Sequence, residues 1–159
     1  MPEVAVGAAG ELDDLRTACR AAVAHLTNTS VDSLIVVGSD MQTVRRDPPF
    51  GGTLRPWGID VPVGDPAGDL PLSLLIGAWL APGAGNFQSI AADAPPAECL
   101  ELGRALADEA PRVGLLVLGD GSACRTDKAP GFFDARAADG RHVAGLVGSR
   151  VQGALADPE

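Results

Sequence analysis

Lysine is almost missing from this 159-residue chain: Lys128 stands alone against eleven arginines. With Ala, Gly, Asp and Pro so abundant, that imbalance reads as the mark of a GC-rich genome rather than of arginine chemistry. Positive charge is scarce altogether, with 12 basic against 21 acidic residues, a formal charge of -9 and a pI near 4.5. Nucleic acid and anionic membrane both need a basic face, so neither is expected as a partner. Cysteine is sparse too. Cys19, Cys99 and Cys124 are odd in number and form no close pair, and the spacings of zinc sites are absent. The longest apolar stretch, residues 70–81, contains Pro71 and is too short to cross a bilayer. The N-terminus lacks a basic segment leading into an apolar core, so no signal peptide is expected and the reading is a cytoplasmic protein. No P-loop, dinucleotide fingerprint or Gly-x-Ser-x-Gly elbow occurs.

What is present suits one α/β domain over residues 1–159. An apolar fraction of 46% is normal for a globular chain and argues against wholesale disorder. Residues 1–10 are small and offer at most a brief edge strand at Val4 and Val6. From Glu11 to Leu26, the positions Leu12, Leu15, Cys19, Ala22, Val23 and Leu26 recur at helical spacing and predict an amphipathic helix. The β-branched run Leu34–Val37 then predicts a strand opening on a Gly38-Ser39-Asp40 loop. Residues 41–68 form a long Pro- and Gly-rich loop region, with an edge strand expected near Trp57–Val63. Arg45 and Arg46 within it could hold an anion, although exposed loop arginines are more often solvated.

Leu72 to Leu80 predicts a helix apolar all round, hence packed on both sides, with Pro71 in its first turn. Gln88–Ala92 predicts a strand despite poor propensity. A further helix is expected from an Asp93 cap to about Glu109 on Cys99, Leu102 and Leu106, putting Cys19 and Cys99 alike on apolar helix faces. The run Val113–Leu118 reads as a strand buried on both faces. A last helix is expected over residues 140–155, on Val143, Leu146, Val147, Val151 and Leu155. Helices and strands alternating in this way give an α/β fold with a mostly parallel or mixed sheet flanked by helices.

Ligands of open α/β sheets collect beyond the carboxyl ends of the strands. The candidate site is therefore the loop Gly119–Lys128, with Asp40 expected on the same edge if the two strands run parallel. Three readings of Gly119-Asp120-Gly121-Ser122 stay open. One is a tight turn in which Asp120 bonds local amides. Another is a small-anion cradle made by the amides of residues 121–123, the Ser122 hydroxyl, Arg125 and Lys128. The last is nucleophilic catalysis by Ser122 or Cys124, for which the sequence offers no nearby base.

The segment Leu116–Asp134, together with Leu70–Leu80, Ala91–Cys99 and Pro56–Val61, resembles the B-subunit-like family of class III extradiol ring-cleavage dioxygenases, in a bacterial branch. The resemblance spans Glu11 to Asp134. In active members it implies an Fe(II) ion held by two His and one Glu, with a further His as acid/base beside open positions for catecholate and O2. This chain departs from that pattern. It begins at Met1-Pro2-Glu3-Val4, after the strand that carries one family His. Met41–Arg45 holds no His where the second is expected, and Ala123 stands at the acid/base position. The Glu is expected beyond Glu159. His25 and His142, the only histidines, fall on predicted helices.

A truncated or shortened member with a degenerate active site is the simplest account, and its missing edges favour a homo-oligomer. The expected function is that of a non-catalytic binding or structural protein, with a small anionic or aromatic molecule as the expected ligand. The alternatives are an Fe(II) dioxygenase completed by another subunit or by absent sequence, and a hydrolase using Ser122.

Overall fold

A computed structural model of the chain describes residues 13–119 together with Lys128 and Phe133. The chain divides into two compact units, Met1–Gly119 and Asp120–Glu159. Every helix and strand among the described residues belongs to the first unit. The expected Val4–Val6 strand, the residue 140–155 helix and Asp120–Asp127 lie outside the described residues.

Helix α1 (Asp13–Asn28) is followed by strand β1 (Ser33–Asp40) and a two-residue strand β2 (Val44–Arg45). A small hairpin, β3 (Gly51–Thr53) and β4 (Pro62–Gly64), encloses a 3-10 turn at Arg55–Trp57. Helix α2 (Leu72–Leu80), strand β5 (Phe87–Ala91), helix α3 (Pro96–Ala107) and strand β6 (Val113–Leu118) complete it. The main sheet is mixed, in the order β2-β5-β1-β6, with β5 and β6 parallel to β1 and β2 antiparallel to β5. The hairpin forms a separate two-stranded sheet, so the edge strand expected near Trp57–Val63 pairs with Gly51–Thr53 and not with the main sheet.

Alternation along β1 divides the core in two. Val36 faces α2 and the hairpin, where it packs with Leu54, Val63, Leu70, Leu74, Leu75 and Phe87. Ile35 and Val37 face the other way and meet Leu102 and Leu106 of α3. Helix α2 packs between sheet and hairpin and buries Leu74 and Leu75, each contributing about 1.5–3 kcal/mol, while Leu72 stays exposed. Two glycines make that close approach possible. A Cβ on Gly77 would run into Val36 Cγ1, and one on Gly38 would sit 2.5 Å from Ser73 Oγ.

Four further expectations are corrected. The run Val113–Leu118 does form a strand, but one not buried on both faces: Leu115 is 37% and Val117 49% exposed. The strand covered on both sides is β1, where Ile35 and Val36 are fully buried between neighbours β5 and β6. An apolar run tells which residues resist water, not where in the sheet they end up. Helix α1 turns Arg16, Cys19, Val23 and Leu26 partly inward, while Leu15, expected in the apolar stripe, is 59% exposed. Cys99 is likewise exposed rather than on the inner side of α3. The α3 cap is Pro95 and not Asp93, so its first amides have no side-chain acceptor.

Candidate functional site

Both β1 and β6 run parallel, with Gly38 beside Leu118, so Ser39 and Asp40 end on the same sheet edge as Gly119. That common carboxyl edge is where the sequence placed the site. Among the described parallel strands the chain order across the sheet is second, first, third (β5, β1, β6). The connection from β1 leads away toward β2 and β5, and β6 arrives on β1's other side. Crevices at such a reversal, beyond the carboxyl ends, are the usual ligand positions of open α/β sheets.

The opposite end of the same two strands is clamped. Arg112, just before β6, donates from Nη2 to Asp32 Oδ1 at 3.0 Å and from Nε to Asp32 Oδ2 at 3.2 Å. The Asp32 amide donates to the Arg112 carbonyl at 2.8 Å. These hydrogen bonds, more than the attraction between the charges, hold the Asp32 carboxyl below its ordinary value of 3.8 and raise the Arg112 guanidinium. The clamp lies at the opposite end of the strand pairing that brings Asp40 and Gly119 to one edge.

At the carboxyl edge, Asp40 pairs with Arg46, and their side chains are 22% and 21% exposed. Arg46 Nη2 also donates to Ser89 Oγ at 3.4 Å, while its buried Nε has no hydrogen-bond partner. Ser89, fully buried in β5, lies 2.8 Å from the Gln42 carbonyl and 3.1 Å from that of Val44, and its hydroxyl donates to them. Thr43 Oγ1 donates to Glu98 at 2.5 Å and accepts from the Ala91 amide at 3.0 Å. Ser73, in the first turn of α2, donates to the Ser39 carbonyl at 2.7 Å. The loop leaving β1 is thus fastened to β5 and to α3, and the end of β1 to α2.

The site residues chosen from sequence divide accordingly. Asp40 and Gly119 come to one edge. Lys128 is exposed in a turn, and Asp120, Gly121, Ser122 and Arg125 lie outside the described residues. Arg45 and Arg46, weighed as an anion site or as solvated loop charges, are not simply solvated: both are ion-paired. Arg45 donates to Asn86 at 3.1 Å and to Glu109 at 2.9 Å, and Arg46 is held by Asp40. With its guanidinium already matched by a carboxylate, Arg46 brings little net positive charge to the edge. Ser89, Thr43 and Glu98 escaped notice in the sequence. The one signal for Ser89 was a polar pair, Gln88-Ser89, inside a strand that is otherwise apolar.

The implied iron has a poor donor set in this unit. Among the described residues no three His, Cys, Asp or Glu side chains converge as metal ligands. His25 is exposed in the last turn of α1. These residues do not fit a two-His, one-carboxylate centre. No helix among the described residues is long and apolar enough to cross a membrane. Compared with protein-family models, with curated proteins and with solved structures, the chain matches none of them.

Proposed function

We propose that this chain binds a small aromatic or anionic molecule at the β1/β6 carboxyl edge and performs no chemistry on it. In this reading it is a relative of the B-subunit-like extradiol dioxygenase proteins that keeps the scaffold without the iron ligands. The observation that carries the binding reading is the side-by-side ending of β1 and β6, with strand order reversing about β1. The reading without chemistry leans on side chains already engaged, Asp40 by Arg46 and Glu98 by Thr43. An aromatic ligand fits this edge better than a phosphate, because Arg46 has no spare charge to offer.

Two measurements test it. Reconstitution with Fe(II) under anaerobic conditions, followed by desalting and metal analysis, should leave far less than one iron per chain. One iron per chain would replace this reading with the dioxygenase. Titration with benzoate, with phenol and with phosphate should move the amide resonances of Ser39, Asp40 and Gly119, and most strongly with the aromatic probes. Resonances at that edge unmoved by all three would end the binding reading.

A further inference from the structure

We draw no further inference here: the strongest candidate, the exposed apolar strip of Leu115 and Val117 on the outward side of β6, carries nothing because nothing in the structure shows what covers it.

Discussion

Gly77 shows how a single missing atom sets the position of a helix. Its Cα faces Val36 and Leu118, and any Cβ there would overlap Val36. Gly77→Ala must push α2 off the sheet or force Val36 out of its rotamer, at about 1–3 kcal/mol. Urea unfolding followed by circular dichroism should show a lower midpoint at unchanged slope. An unaltered midpoint would mean that α2 does not sit this close to β1.

Asp32 makes a residue-scale statement about pH. Its folded carboxyl titrates below the ordinary 3.8 because Arg112 donates two hydrogen bonds to it, reinforced by their opposite charges. A depressed folded value means that its stabilising contribution is present above the unfolded value and is lost as the pH falls through the folded one. Both groups are exposed, so solvent screens the effect. Carboxyl NMR titration should place Asp32 below 3.8, and Arg112→Gln should return it toward that value. An Asp32 that titrates normally in the parent chain would remove the clamp.

Among the elements, β2 and the 40–46 loop depend most on side chains. Two residues of strand pairing are little to hold a segment in place, and the balance comes from Ser89, Thr43 and Arg46. Ser89→Ala leaves the Gln42 and Val44 carbonyls without that donor and should cost about 1 kcal/mol. The Arg46 amide, which donates to the Phe87 carbonyl at 2.9 Å, should exchange faster while amides shared by β1 and β6 keep their protection. Equal acceleration in both places would mean that the loop opens only with the whole sheet.

Elements differ in how plainly they could be read from the chain. Helix α2 was legible to the residue, Leu72–Leu80, because a run apolar on every side after a proline has few other fates. The strand at Phe87–Ala91 was found one residue out despite poor propensity, since Pro82-Gly83 and Pro95-Pro96 bracket it. The position of β6 at the end of the row of described strands was not legible: Leu115 and Val117 look as core-like in sequence as Ile35 and Val37. Only pairing on both sides makes a strand central, and pairing partners are chosen at long range. The contacts of Ser89 with Gln42 and Val44 were hidden for the same reason, since more than forty residues separate the partners.

For the whole molecule, charge and association can be addressed together. A formal charge of -9 disfavours non-specific association at neutral pH, so any oligomer must rest on a specific contact. The sequence leads us to propose a homo-oligomer. Sedimentation equilibrium across a range of protein concentrations should give a mass at least twice 16.1 kDa. A single species of monomer mass at every concentration would withdraw that proposal.

Composition and periodicity by themselves determined the class of this protein. Alternating helices and strands come from local pattern, because burial of one face imposes its own spacing, whereas Gly38, Ser39 and Asp40, expected as a loop, are the last residues of β1. Tertiary structure alone decided that β1 lies at the centre, that Asp40 meets Arg46, and that Asp40 and Gly119 share an edge. Those are facts of register and pairing, set by packing between residues far apart in the chain, and no local pattern encodes them.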